Sequence, residues 1–208
     1  LTDTSADQRT KSLGFTSSAG FSSANDFYHN FSYTLQNIET ENLDSNDNKI
    51  STDGGKVLSS VGYRISKDTR DNRFNPASGY YYSLSEQYAG LGGDVNYLSS
   101  ILRGSYYHKY DYVDLVVGIS GEYGNIEGLD ENVSKSNRFF LGGRKVRGFD
   151  SSGIGPRVTE NSSASAVGGN NYYAGRVALR SGIGLPSETG IQWTIFTDFG
   201  SLWGVDDT

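Results

Sequence analysis

Residues 112–123 alternate apolar and polar side chains almost without a break. Val113, Leu115, Val117, Ile119 and Tyr123 fall on one face; Asp114, Gly118, Ser120 and Glu122 fall on the other. A helix would bring together residues three and four apart, whereas a strand sends successive side chains to opposite sides. The same two-residue period recurs along the chain. Leu13, Phe15, Ala19 and Phe21 share a face of 12–22, and Phe27, Phe31, Tyr33 and Leu35 share one of 27–37. Val57, Val61, Tyr63 and Ile65 do so in 56–66, and Tyr80, Tyr82, Leu84 and Tyr88 in 79–89. Leu98, Leu102 and Tyr106 do so in 95–108, and Tyr173, Val177, Leu179, Ile183 and Leu185 in 171–185. The last is 190–202, with Ile191, Trp193, Ile195 and Phe199 opposite Gln192, Thr194, Phe196, Asp198 and Gly200.

This predicts an all-β chain of about eight strands, most of them about ten residues or longer. Strands in globular proteins run about five or six residues. Tilted strands that cross a bilayer need about 9–11. The second faces carry Arg, Glu, Asp, Ser and Gly, as the inner wall of a barrel requires. The low hydrophobic content, 35%, is compatible with this, because a barrel strand needs only alternate residues to be apolar. Nowhere is there the run of about 18 apolar residues that a membrane helix needs. With no Cys in the 208 residues, a disulfide scaffold and a Cys-based metal site are excluded. The net charge of −6 argues against a nucleic-acid partner.

The connections vary in length as in a barrel, with tight turns at one rim and long loops at the other. Residues 23–26, 109–111 and 186–189 are short; 67–78 are intermediate; 90–94 form a short glycine turn; 38–55 and 124–170 are long. The tight turns would be periplasmic and the long loops extracellular. Tyr80 to Tyr82, Tyr106, Tyr107, Tyr110, Tyr112, Tyr172, Tyr173 and Trp203 cluster near strand ends, where aromatic girdles form. The rival architecture, a soluble β-sandwich, predicts two packed sheets. The start at Leu1, with no Met and no leader, reads as a fragment or processed product.

Two motifs stand out. The long loop contains RFFLGGRKVRGFDSSGIGPR, 138–157, with VRGF at Val146 to Phe149. Gly148 allows a sharp bend, so Arg147 is presented at a tip with Val146 and Phe149 packed beside it. The second motif is FTDFG, Phe196 to Gly200, whose alternation places Asp198 on the inward face. A carboxylate on a barrel wall requires a partner. Arg147 is the leading candidate, because a guanidinium grips a carboxylate with two prongs; Arg176, Arg180, Arg103 and water compete.

No motif supports an enzyme. His29 and His108 lie on different strands, without a nucleophile and orienting acid beside them. LDSNDNKISTDGG, 43–55, has Asp44, Asn46 and Asn48, but Lys49 and Gly55 stand where a calcium loop needs Gly and Glu. It reads as a solvated extracellular loop. No catalytic residue, metal ligand or cofactor is assigned.

VRGF in a long late loop, followed one strand later by F-x-D-x-G, resembles the BamA family of outer-membrane barrel-assembly factors. DTRDNRFNPASGYYYSLS (68–85) and YAGLGGDVNYL (88–98) are similar to BamA segments between middle barrel strands. That family carries periplasmic POTRA domains before a 16-stranded barrel. The resemblance covers its sixth through thirteenth strands, so the chain is expected to be a partial barrel domain without POTRA domains or terminal strands. It implies a loop folded into the lumen, with Arg147 on Asp198 and with Val146, Gly148, Phe149, Phe196 and Gly200 shaping the seat. It implies insertion of unfolded outer-membrane proteins into the bacterial outer membrane, with the lipid bilayer and accessory assembly lipoproteins as partners. The family's lateral gate lies between its first and last strands, so the chain alone is expected to be inactive. TamA-like and two-partner secretion translocation barrels share these motifs. A passive porin or adhesin barrel would keep 138–157 outside the lumen. An eight-stranded closed barrel is filled by its own side chains, so the expected form is an open half-barrel with edges at 12–22 and 190–202.

Overall fold

The computed structural model describes residues 2–5, 8–43, 49–160, 163–184 and 191–206. The strands are β1 (Thr2–Ser5), β2 (Gln8–Ser22), β3 (Phe27–Leu43), β4 (Lys49–Asp68), β5 (Gly79–Ala89) and β6 (Tyr97–Tyr110), followed by β7 (Leu115–Gly128), β8 (Arg157–Glu160), β9 (Ser163–Ala166), β10 (Asn171–Gly182) and β11 (Gln192–Trp203). Nine of them form one antiparallel sheet in the order β1-β2-β3-β4-β5-β6-β7-β10-β11, while β8 and β9 form a separate hairpin. The sheet is open. The short β1 covers only Gln8–Lys11 of β2, so 12–22 remain an edge. The opposite edge is β11.

The outer face is apolar and uncovered, with Leu13 83%, Phe15 56%, Leu102 52% and Ile195 64% exposed. No second sheet stacks on it, and Leu115 and Val117 are only partly buried. The sandwich reading therefore fails. A face this apolar is stable only against lipid.

The buried apolar clusters lie on the inner face. Leu58, Ala89, Tyr97, Ile126 and Val133 form one cluster; Leu141, Val146, Tyr172, Ala174 and Leu202 form a second. Both clusters include residues from the long loop as well as from the wall. The aromatic set is divided by strand parity. Tyr80, Tyr82, Tyr106, Tyr110, Tyr173 and Trp203 are exposed outside. Tyr172 points inward and is fully buried beneath the loop, and so is no girdle residue.

Three boundaries differ from the sequence reading. Much of 38–55 is strand, because β3 and β4 run on to Leu43 and from Lys49 through an irregularity near Ile38. Beyond the membrane both faces of a hairpin are wet, so the extension has no apolar period to reveal it. Asp44, Asn46 and Asn48 lie outside the described residues, as does the expected turn at 186–189. Within the long loop, β7 continues to Gly128, and the β8–β9 hairpin supplies strands where none were expected. Finally, Asp111–Val113 form a 3₁₀ turn that ends on Asp114 at φ 45°, so β7 starts at Leu115.

The segment 69–78 is held by its own side chains. Asp71 Oδ1 accepts from the backbone N–H groups of Asn72, Ala77 and Ser78, and Asn72 Oδ1 accepts from those of Phe74 and Asn75. This Asx geometry explains the Asp-Asn pair of DTRDNRFNPASG.

Candidate functional site

Strand parity on β11 aims Phe196, Asp198, Gly200 and Leu202 into the concave side, and Trp193, Ile195 and Phe199 outward. The β10–β11 register places Arg176 directly across from Asp198. Arg176 Nε donates to Asp198 Oδ1 at 2.6 Å, and its terminal nitrogen donates to Oδ2 at 3.2 Å.

The loop enters from the rim above β7 and β10. Its backbone reverses at Gly142 (φ 139°), Gly143 (φ 56°) and Gly148 (φ 90°), conformations that other residues rarely adopt. Lys145-Val146-Arg147 is thereby pressed onto the wall. Val146 is 2% exposed and packs with Leu141, Tyr172, Ala174 and Leu202. Arg147 donates to Asp198 through its backbone N–H (3.1 Å), Nε (2.6 Å) and a terminal nitrogen (2.9 Å). Its guanidinium also lies 3.1 Å from the centre of the Phe196 ring, a cation–π contact. The Asp198 side chain is 3% exposed. The sequence reading treated the arginines as competitors, but two of them share this carboxylate.

Gly200 has a steric role. A Cβ there would come within 2.8 Å of the Tyr173 carbonyl, 3.0 Å of Val146 and 3.1 Å of Leu141. The glycine of F-x-D-x-G therefore leaves the space that the loop occupies. Phe149 departs from the expectation. Its ring is 53% exposed, because the bend at Gly148 turns it away, and its contribution is a carbonyl that accepts from Gly143 N–H at 3.0 Å.

Residues outside the motifs form a second clamp. Glu122 on β7 accepts from Lys145 Nζ at 2.5 Å, from Arg103 on β6 and from the Tyr172 hydroxyl on β10. Lys145 also donates to the Tyr172 hydroxyl at 3.0 Å and lies over its ring. Glu122 was legible as a second inward carboxylate, but its partners were not. Of the remaining arginines, Arg180 donates to the Pro76 carbonyl and ties β10 to the 69–78 turn.

The neck of the loop is tied independently. Arg138, 6% exposed, donates to the carbonyls of Val133 (2.9 Å) and Asp206 (3.3 Å). The Asp206 carboxylate accepts from Val133 N–H at 2.7 Å. Hydrogen bonding from the Asn170 side chain, then from that N–H, holds the Asp206 carboxyl below its ordinary range. Among the described residues no cluster of three His, Asp or Glu could hold a metal.

The chain as a whole is similar to known proteins. The Omp85 superfamily domain matches residues 2–208. The chain is 34% identical over 201 residues to the outer membrane protein assembly factor BamA of Neorickettsia risticii, covering 95% of this chain and 27% of that protein. It is 27% identical over 143 residues to BamA of Nitratidesulfovibrio vulgaris, covering 66% of the chain and 18% of that protein. A SAM50-like protein of Schizosaccharomyces pombe is 31% identical over 132 residues, covering 61% of the chain and 27% of that protein. The fold matches the crystal structure of Haemophilus ducreyi BamA lacking POTRA domains 1–3, with a TM-score of 0.84 at 15% identity, over 96% of this chain and 43% of that one. The chain thus spans about a quarter of the length of the Neorickettsia relative. An open, lipid-facing antiparallel sheet with these relatives is bacterial outer-membrane barrel structure, and the chain belongs to the Omp85 superfamily.

Proposed function

We propose that this sheet is part of the wall of an outer-membrane protein assembly factor, which folds and inserts unfolded β-barrel clients. The observation that carries this reading is the loop pinned inside the lumen, with Arg147 on Asp198 and Val146 buried behind them. The passive-barrel alternative predicted residues 138–157 outside the lumen, whereas Arg147 and Val146 lie against its inner wall. The BamA and SAM50-like relatives point the same way.

The mechanism is non-covalent and needs neither ATP nor a cofactor. A client segment adds to a free strand edge through main-chain hydrogen bonds. The loop braces the wall from inside, so that opening a seam elsewhere in the barrel leaves this region intact. On this reading POTRA domains lie elsewhere in the protein, and accessory lipoproteins assemble with it at the periplasmic rim.

A double-mutant cycle on Arg147→Ala and Asp198→Ala in the full-length protein tests this. The readout is the heat-modifiable, folded fraction of a client porin in proteoliposomes. The expected result is strongly non-additive loss of assembly. Additive effects, or full assembly by the double variant, would refute the clamp's role.

A further inference from the structure

The second clamp borders a cavity of about 290 Å³ between the loop tip and β5, β6, β7 and β10. Four cationic side chains line it: Arg103 and Arg176 from the wall, Arg144 and Lys145 from the loop. Glu122 is the lining carboxylate, and it is already divided between Arg103, Lys145 and Tyr172. Arg176 is engaged by Asp198 and by the Arg144 carbonyl. The Arg144 guanidinium is exposed and makes no side-chain hydrogen bond or ion pair with the described residues. Ser105 and Ser120, paired across β6 and β7, also line the cavity as small hydroxyl-bearing residues.

The charge balance here is opposite to that of the molecule. The chain carries −6, yet around this cavity Arg103, Arg144, Lys145, Arg147 and Arg176 face only Glu122 and Asp198. Like charges gathered on a concave wall repel one another and leave a positive potential in the cavity. A compact anion with several acceptor oxygens relieves that repulsion by charge-assisted hydrogen bonds.

We propose that this cavity is an oxyanion site for a phosphate group. A phosphate seated there bridges Arg144 and Lys145 of the loop to Arg103 and Arg176 of the wall. Its occupancy therefore fastens the loop more tightly. The cavity opens on the inner face, so the phosphate reaches it from the aqueous lumen, as free phosphate or as a soluble phosphate monoester.

The test follows protease protection of residues 129–170 in the native full-length protein. One arm titrates inorganic phosphate against chloride at matched ionic strength in detergent. The other compares glycerol phosphate with glycerol, also at matched ionic strength in detergent. Protection is expected to rise severalfold in at least one arm. Arg144→Ala should abolish that increment, as should Ser120→Asp, which places a carboxylate in the cavity. A response confined to the second arm assigns the site to a phosphate monoester; a response in the first arm assigns free phosphate as sufficient. No rise in either arm, or a rise that survives in both variants, overturns the site.

Discussion

Arg176 and Asp198 face each other across one rung of the β10–β11 ladder, with Nε 2.6 Å from Oδ1, so the wall already holds its carboxylate where Arg147 of the loop docks. This makes the two sides of the clamp unequal. Arg147→Ala leaves Asp198 paired with Arg176 and should cost at most about 1.5–3 kcal/mol of loop attachment, the range for hydrogen bonds to charged groups. Asp198→Ala removes the hydrogen bonds of both guanidiniums at once and should cost more, the loss being limited by water reaching the two arginines, 37% and 34% exposed. Protease accessibility of 144–149, measured in both variants, should follow that order.

Gly200→Val is expected to eject the loop tip and to press on the β10–β11 ladder at the Tyr173 carbonyl, 2.8 Å from the added Cβ. The added side chain would occupy the space now filled by Val146 and Leu141. Overpacking of this kind costs about 1–3 kcal/mol, and the loop, unlike the strand ladder, can move away. A cysteine introduced at Ser151 should become more reactive to a thiol reagent, while heat-modifiability of the barrel itself persists.

The loop neck should weaken in acid. The Asp206 carboxyl has a folded-state pKa below its unfolded value, through Asn170 and the Val133 N–H. Its contribution is therefore complete above the unfolded carboxylate pKa and lost as pH falls through the lower, folded one. Proteolysis by an acid-active protease should show progressive release of 129–170 on acidification. Asp206→Asn should flatten that dependence and be weaker at neutral pH.

Face should decide the tolerance to charge. Leu102 is on the lipid side, near the middle of β6 and 52% exposed. Leu102→Arg should cost about 2–4 kcal/mol of insertion stability, the range for a cation at mid-membrane depth on a barrel. Gln36→Arg, on the inner face of β3, should be nearly neutral. Urea titration of the folded protein in lipid vesicles separates the two outcomes.

The membrane strands were legible because each declares itself locally. Period-two alternation in 79–89 or 171–185 needs no knowledge of the neighbouring strand, although β10 itself ends at Gly182. The same logic failed at 38–55, whose sequence carries no apolar period, and at β8–β9, whose four-residue strands are too short to show one. Val146 to Phe149 and Phe196 to Gly200 could be picked out as motifs, and the inward direction of Asp198 followed from parity. The exposed Phe149 ring did not, because its direction depends on the backbone turn at Gly148.

Sequence by itself determined which residues meet lipid, which face the lumen and which carboxylates on the wall would require cations. Those are consequences of strand geometry acting over a few residues. Tertiary structure alone decided that Asp198 is shared by two arginines, that Lys145, Arg103 and Tyr172 converge on Glu122, and that a cationic cavity lies between them. These contacts join residues tens of positions apart. Their geometry depends on the register of β6, β7, β10 and β11 and on the depth to which the loop descends, and a strand's local period contains neither quantity.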